Sequence, residues 1–481
     1  MPGTALFPQA TTTTATGRAA LRMPGQLRPL LDPAIAGLLQ ASPHALRDWI
    51  EHYGSPLNVV FPDRLKQNVE AFRTVLQRHG VGYALFYGAK VNKSPGLVRA
   101  AVEAGIGVDV SSLYEMRDAL LAGAKPERLC ATGPAKTRAF HTTLIDNGAL
   151  ISVDSVAELD DLEHLARQMA PRQPVRVLLR YRPESAAASR FGMGADDLLA
   201  CLRRLAGQRA VFAFEGFHFH LGGYGVESRA QAVREVARFI DAARSLGLAP
   251  RMLDIGGGLP IRYVEADAYE AFLRAQTGAD YRNGTVPTSL YPYGGRIDAC
   301  TWLERFLSAP CVDGLSVASY LKANDLTLAI EPGRSLADQT AISLFRVTRV
   351  KPLASGDHVV FVEGSSFSAC ETWFASEYLV DPIVVPAPHS NMRANVGAMP
   401  MRAYLAGHSC LDDDVLTNRL IDFPHGVRAG DLLVYANTAG YQMDLLENQF
   451  HRHPMPRRIA VAFLATGGMT VSPDDRLEST T

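Results

Sequence analysis

Short apolar runs alternate with amphipathic segments from about residue 56 to residue 335. The amphipathic segments repeat apolar residues at helical spacing, and several open with Ser and end at Gly, which are favourable helix caps. The apolar runs do not alternate with polar residues, which is typical of parallel strands covered on both faces. They lie at residues 83–90, 107–112, 129–133, 151–155, 175–183, 214–222, 252–260 and 326–334. Eight such strand–helix units predict an α/β fold, a (β/α)8 TIM barrel.

A doubly wound sheet is the alternative arrangement of the same elements. It usually has fewer strands, and no GxGxxG motif follows the first run. The connection between the seventh and eighth runs, residues 261–325, is unusually long. We expect an inserted helix and loop there, near the mouth of the barrel.

The pattern changes after residue 335, where runs typical of strands follow one another with little helical periodicity. This change predicts a second, β-rich domain, and the run "LNVVF" at 57–61 is a candidate to join it. The predicted organisation is a flexible tail (1–25), a segment packing on the β domain (26–55), the barrel (56–335), the β domain (336–470) and a flexible tail (471–481).

Composition narrows the possible functions. The 481 residues carry a formal net charge of -1 without a basic cluster, which argues against a nucleic-acid-binding protein. Six cysteines lack CxxC or zinc-ligand spacing, as in a reduced cytoplasmic protein. No apolar run reaches the roughly 20 residues that a membrane helix needs, so we expect no membrane partner.

Polar residues stand at the end of every predicted barrel strand, where catalytic groups of such barrels converge. They are Lys90, Asp109, Thr132, Asp154, Arg180, His218, His220, Asp254, Gly256, Gly257, Gly258, Glu331 and Arg334. Taken alone, a glycine triplet is usually a turn and an arginine usually a surface group. "HFH" could bind a metal, but no third ligand at suitable spacing accompanies it, so we expect no metal. Together these residues indicate a site for a phosphate-bearing cofactor.

The order of four motifs along the chain is specific: Lys90 on the first strand, "HFHLGG" on the sixth, "LDIGGG" on the seventh and "EPGR" on the eighth. This order resembles the fold-type III pyridoxal 5'-phosphate (PLP) enzymes, which have the alanine racemase-like barrel. The group that it resembles contains the diaminopimelate, ornithine and arginine decarboxylases. The resemblance spans about residues 56–460.

The resemblance implies a role for each matching residue. Lys90 would carry PLP as a Schiff base, His220 would stack on the pyridine ring, and Arg180 would lie near its O3' oxygen. Asp109 and Glu115 match an acidic pair behind the cofactor. The residues implied to hold the cofactor phosphate are Gly223, Gly256, Gly257, Gly258, Gly333, Arg334 and Tyr441. Gly223 stands where the family has a serine, so one hydroxyl contact is expected to be missing.

Glu331 favours a decarboxylase, since a carboxylate beside the pyridine nitrogen keeps it protonated and the ring a strong electron sink. The racemase branch has an arginine there. "GHSCLDDDVL" resembles a segment that supplies a proton donor from the partner subunit, here Cys410 with Asp414, and Tyr441 is also implied to touch substrate. A homodimer with active sites at its interface is therefore implied.

Leu411 stands where the diaminopimelate and ornithine enzymes carry an acidic residue that holds the substrate's distal amine. We therefore expect a PLP-dependent amino-acid decarboxylase with a non-standard substrate, such as a secondary-metabolite or siderophore precursor. An amino-acid racemase or epimerase and a PLP-binding protein without catalysis are the competing hypotheses.

Overall fold

The computed structural model describes residues 26–366, 372, 375–388, 399–444, 450–465 and 468–474. The strands are β1 (Leu57–Val60), β2 (Tyr83–Gly88), β3 (Gly107–Val110), β4 (Leu129–Ala131), β5 (Leu150–Val153), β6 (Val175–Arg180), β7 (Phe212–His218), β8 (Met252–Asp254), β9 (Thr327–Ile330), β10 (Ala341–Pro352), β11 (His358–Val362), β12 (Ile383–Val385), β13 (Met401–Ala406), β14 (Ile421–Phe423), β15 (Leu432–Ala436), β16 (Arg457–Phe463) and β17 (Met469–Pro473). The helices are α1 (Pro33–Ala41), α2 (Pro43–Tyr53), α3 (Pro62–His79), α4 (Pro95–Glu103), α5 (Leu113–Leu121), α6 (Arg138–Asp146), α7 (Val156–Met169), α8 (Ala195–Gly207), α9 (Val226–Ser245), α10 (Ala266–Ala275), α11 (Ala299–Ser308) and α12 (Val317–Ala323).

Strands β2 to β9 form a closed barrel in which every neighbouring pair is parallel. The predicted TIM barrel is therefore confirmed, and the doubly wound alternative is wrong. The strands end earlier than the apolar runs because the chain turns at the polar residues and glycines that close each run. The polar groups consequently lie just beyond the strand ends, at one mouth of the barrel.

Serine caps begin several of the barrel helices, as the sequence predicts. The Ser94 side chain accepts a hydrogen bond from the backbone N–H of Leu97 at the start of α4. Ser112 and Ser155 cap α5 and α7 in the same way. These caps satisfy N–H groups that helix geometry leaves without a partner.

The long connection between β8 and β9 contains three helices, α10 to α12, rather than one. Helix α11 packs against α3 and α9 on the outside of the barrel. Ile261, Tyr263 and Tyr293, which lie before α11, are buried in the hydrophobic core of the β domain. This connection therefore ties the barrel to the second domain.

The second domain is a mostly β structure built around one sheet, in the order β14-β13-β11-β10-β1-β16-β17, with β15 also pairing with β10 and β12. Strand β1 lies between β10, to which it is antiparallel, and β16, to which it is parallel. By its pairing β1 belongs to this sheet and not to the barrel that follows it in sequence. Helices α1 and α2 pack on the same sheet, α1 through Ile35 and Leu38 and α2 through Leu46, Trp49 and Ile50.

The C-terminal end departs from the expected tail. Residues 469–473 form β17, and the buried Asp474 carboxylate accepts hydrogen bonds from the Ser94 hydroxyl and the Gly96 N–H. The prediction of a flexible tail is therefore wrong for residues 471–474, because their contacts come from a barrel helix distant in sequence. The two expected tails at 1–25 and 475–481 lie outside the described residues. Within the described ranges, no helix is both long enough and apolar enough to span a membrane.

Candidate active site

Lys90 lies in a single 3-10 turn, Ala89–Val91, directly after β2. Its Nζ atom is 3.3 Å from Oδ2 of Asp109, and its side chain is 36% exposed. Burial acts against the charged ammonium, but the carboxylates of Asp109 and Glu331 outweigh it, so the pKa of Lys90 lies above its usual value. Burial alone would make this lysine less basic, and the two carboxylates reverse that direction.

A cavity of about 1330 Å³ opens at the mouth of the barrel, above Lys90. The residues predicted to bind the cofactor that line it are Lys90, Arg180, His220, Gly223, Gly257, Gly258, Glu331, Gly333, Arg334 and Tyr441. Asp109 is buried beside this cavity, where it accepts a hydrogen bond from the Thr132 hydroxyl at 2.6 Å. Most of the predicted cofactor-binding residues therefore meet at one place, although they come from six barrel strands and the β domain.

Glu331 lines the floor of the cavity, and further buried groups lie around it. Oxygen atoms of Asp254 and Glu331 lie within 4.8 Å of each other and of the Cys130 sulfur. Burial, followed by the charges of Asp109 and Asp254, raises the pKa of Glu331 well above its usual range. The environment of Glu331 therefore favours its protonated form relative to an exposed glutamate.

His218 stands beside Glu331, with Nε2 3.9 Å from Oε1 of that carboxyl group. Its other ring nitrogen, Nδ1, is 2.7 Å from the Ser152 hydroxyl. Burial, assisted by the charge of Arg180, holds the pKa of His218 well below its usual value, so the ring is neutral. Within the described part of the chain, Glu331 Oε1 and His218 Nε2 are buried without a hydrogen-bond partner. Burying such polar atoms costs free energy unless a ligand supplies their missing hydrogen-bond partners.

The glycine triplet after β8 packs directly on His220. The N–H of Gly257 donates to Nδ1 of His220 at 3.2 Å. Burial lowers the pKa of His220 to about 3, which keeps the ring neutral and Nδ1 free to accept. A Cβ atom at Gly257 would lie only 2.5 Å from the backbone oxygen of Glu331, so only glycine fits where the chain passes so close to Glu331.

Arg334 and Tyr441 close the opposite side of the cavity. The Arg334 guanidinium donates to the backbone oxygen of Gly440 at 2.8 Å and lies over the rings of Tyr291, at 4.1 Å, and Tyr441, at 4.9 Å. Tyr441 has a φ of +77°, which is strained for a tyrosine. Its N–H is held by the backbone oxygen of Val91, so the strained residue is fixed beside the lysine turn.

Arg180 reaches the cavity from the end of β6. Its Nη1 atom is 2.9 Å from Oδ1 of Asp154, and its guanidinium lies 4.7 Å from the ring centre of Phe191. The second oxygen of Asp154 accepts the N–H of Gly192. This buried pair fixes the arginine at the rim.

Three predicted residues lie elsewhere. Glu115 does not join Asp109: it accepts the N–H of Ser111 and pairs with Lys93 at 2.9 Å, since it sits in the first turn of α5 and its carboxylate reaches back to the strand end. Cys410 is exposed and is not among the residues that line the cavity. Asp414 is buried, and its carboxylate accepts the N–H groups of Ser366 and Ser409, so within one chain it holds the loop that carries Cys410.

Several cavity residues were not predicted from the sequence, among them Lys136, Phe191, Tyr224 and Tyr291. Lys136 is almost fully buried and donates to Glu158 at 2.8 Å. It follows the "TG" that comes directly after β4, so its place after a barrel strand was an available signal. Tyr291 lies in the long connection before β9, where no periodic pattern indicates which residue faces the cavity.

The model of the family described as "Pyridoxal-dependent decarboxylase, pyridoxal binding domain" matches residues 63–279. An uncharacterized protein of Sinorhizobium fredii, y4yA, is 56% identical over 93% of this chain and 96% of its own length. The diaminopimelate decarboxylase of Zymomonas mobilis is 25% identical over 85% of this chain and 88% of its own. The solved diaminopimelate decarboxylase from M. jannaschii, in complex with L-lysine, superposes with a TM-score of 0.68 at 19% identity, covering 89% of this chain and 91% of that one.

The fold, the lysine at the first strand end and these comparisons define the class. The chain belongs to the fold-type III PLP-dependent decarboxylases, and its cofactor is pyridoxal 5'-phosphate. It is an enzyme that decarboxylates an amino acid, a carboxy-lyase.

Proposed function

We propose that this enzyme decarboxylates a non-standard amino acid, with Lys90 as the covalent anchor of the cofactor and Glu331 as the partner of its ring nitrogen. The observation that supports this most strongly is the floor of the cavity, where buried Glu331 Oε1 and His218 Nε2 lack partners among the described residues. A heteroaromatic ring nitrogen would give Glu331 Oε1 the hydrogen-bond partner that it lacks among the described residues. The residues present therefore fit the cofactor.

Bound PLP supplies an electron sink for the electron pair left on Cα when CO2 departs. Glu331 would strengthen that sink, because a carboxylate beside the ring nitrogen would keep that nitrogen protonated. Neutral His220, fixed by the Gly257 N–H, would cover one face of the ring.

Lys90 is the group that we assign to the covalent bond with the cofactor. Formation of that bond needs the neutral amine, whereas the free lysine is held as an ion by Asp109. Asp109 thus orients Nζ before the cofactor arrives. Arg334, Tyr441 and the glycines after β7 and β8 line the cavity and would hold the phosphate group.

Cys410 is the proposed acid that returns a proton to Cα, and we infer that it serves the cavity of a partner subunit. Its exposure and its place outside the cavity of its own chain support this arrangement. Mixing inactive Lys90→Ala with inactive Cys410→Ala would then form heterodimers with one intact site. We expect about a quarter of wild-type activity to return in such mixtures, because half of the dimers are hybrids with one working site of two. Failure of every mixture to regain activity would contradict a shared site.

The substrate class is open to a direct test. Leu411, which is exposed, replaces the acid that would hold a distal amine, so diaminopimelate, lysine and ornithine are expected to be poor substrates. The assay is release of CO2 together with the matching amine from a panel of amino acids with PLP present. Exchange of the Cα hydrogen for deuterium without loss of CO2 would point to the racemase alternative and refute the proposal. Efficient use of ornithine or diaminopimelate would refute the substrate class alone.

A further inference from the structure

Arg229, in the first turns of α9, is completely buried beneath two backbone loops. One loop, residues 221–223, follows β7, and the other, residues 256–258, follows β8. The Nη2 atom of Arg229 lies within 3.2 Å of four carbonyl oxygens, two from each loop. They belong to Leu221, at 2.8 Å, Gly223, at 2.9 Å, Gly257, at 3.2 Å, and Gly258, at 3.0 Å. One guanidinium nitrogen therefore joins both loops.

The peptide groups that face Arg229 with their oxygens must turn their N–H groups the other way, because a trans peptide unit is planar with the two groups opposed. Those N–H groups belong to Gly222, Tyr224, Gly258 and Leu259. All four residues line the cavity. Over the ranges that the structure describes, none of the four N–H groups donates to a protein acceptor. Unpaired backbone N–H groups that converge on one concavity form an anion site.

The charge of Arg229 is not neutralised by its surroundings. No carboxylate of the described residues lies within ion-pair distance of the Arg229 guanidinium. Burial lowers the pKa of Arg229 only to about 10, so the side chain remains a cation at neutral pH. Its guanidinium lies 5.3 Å from the ring centre of Trp302. The Nε1–H of Trp302 in turn donates to the backbone oxygen of Tyr224, which extends the same loop. A positive charge thus stands behind the unpaired N–H groups.

We propose that Arg229 is a positioning residue for the phosphate group of the cofactor. It holds the carbonyl oxygens of both loops on one side, so that their N–H groups form a cradle for a phosphate monoester on the other. This inference rests on the proposed function, in which these loops hold the phosphate of PLP. Arg334 approaches the cavity from the opposite side and, unlike Arg229, was predicted from the sequence.

The test compares Arg229→Met with Arg234→Met in the cofactor-free full chain. Arg234 lies on the same helix but pairs at the surface with Glu227 and the backbone of Pro310, so it is a matched control. Equilibrium dialysis gives the dissociation constants of PLP and of pyridoxal, which lacks the phosphate. We expect Arg229→Met to weaken PLP about 10–100-fold and pyridoxal no more than about twofold, as for loss of a residue that orients ligand-binding groups. Arg234→Met should change neither constant.

Equal weakening of PLP and pyridoxal in Arg229→Met, or unchanged binding of PLP, would overturn the proposal. If Arg229→Met does not fold, Arg229→Lys takes its place in the test, since an ammonium group keeps the positive charge but not the planar fork. We expect this variant to bind PLP about tenfold more weakly, with little change for pyridoxal. Wild-type PLP affinity in that variant would overturn it. A wild-type protein that binds pyridoxal as tightly as PLP would instead refute the proposed place of the phosphate, which is a separate result.

Discussion

Replacing Asp109 by Asn tests the electrostatics of the lysine directly. The substitution removes a negative charge 3.3 Å from Lys90 Nζ while keeping an oxygen that can accept the Thr132 hydroxyl. Coulomb's law at that distance gives about 5 kcal/mol for an effective dielectric constant of 20 and about 2.5 kcal/mol for 40. The lower value is appropriate because the lysine side chain is 36% exposed. At 1.36 kcal/mol per unit, the pKa of Lys90 should fall by roughly 2 units.

The measurement is an NMR titration of the cofactor-free protein after reductive methylation of its lysines with 13C-formaldehyde. The Lys90→Arg variant assigns the signal. Glu115→Gln is the matched control, since Glu115 pairs with Lys93 and should leave the Lys90 titration unchanged. A fall of less than about half a unit in Asp109→Asn would refute the reasoning, since the two charges would then be screened far more than their 3.3 Å separation suggests.

Three further predictions concern the cavity floor and the glycine loops. Glu331→Gln should retain bound PLP, seen by its absorbance, but slow CO2 release by about 10²–10³-fold; unimpaired turnover would contradict the role of this carboxyl group. Burial raises the pKa of Asp254 from 3.8 to about 7. Between these two pH values the native protein therefore binds a proton that the unfolded chain has lost, and the free energy of unfolding falls as pH rises. Asp254→Asn should show a shallower slope than the wild type in urea unfolding of the cofactor-free protein at about pH 5 and 7.5, and equal slopes in the two proteins would contradict it. Gly257→Ala should lower the free energy of unfolding by about 1–3 kcal/mol, and with it Tm, because the new Cβ would lie 2.5 Å from the backbone oxygen of Glu331. Gly222→Ala should leave Tm unchanged, because the space around Gly222 is open. Equal Tm values for the two variants would contradict the clash.

The barrel could be predicted from the sequence because parallel strands buried on both faces leave an unmistakable apolar run. The polar residue after each run also predicted where the cavity would form, as Lys90 and Glu331 illustrate. Strand β1 could not be assigned to its sheet from the sequence, because a four-residue strand does not reveal that its partners, β10 and β16, lie hundreds of residues further along the chain.

Properties that depend on distances could not be predicted. Burial lowers the pKa of Lys90 and two nearby carboxylates raise it. The net direction depends on the distances from Nζ to those carboxylates, which the sequence does not give. Glu115 has the expected spacing from Asp109, yet the helix that carries it directs its carboxylate to Lys93. Arg229 reads as an ordinary helical arginine, since its burial follows from loops that close over α9.

The central claim is that Lys90 holds the cofactor in this cavity. Its most direct test is reduction of the PLP-loaded enzyme with borohydride, followed by proteolysis and mass spectrometry of the peptides. The account predicts one phosphopyridoxyl group per chain, on the peptide that contains Lys90, and none in Lys90→Arg. A phosphopyridoxyl group found mainly on another lysine, such as Lys93 or Lys136, would contradict it.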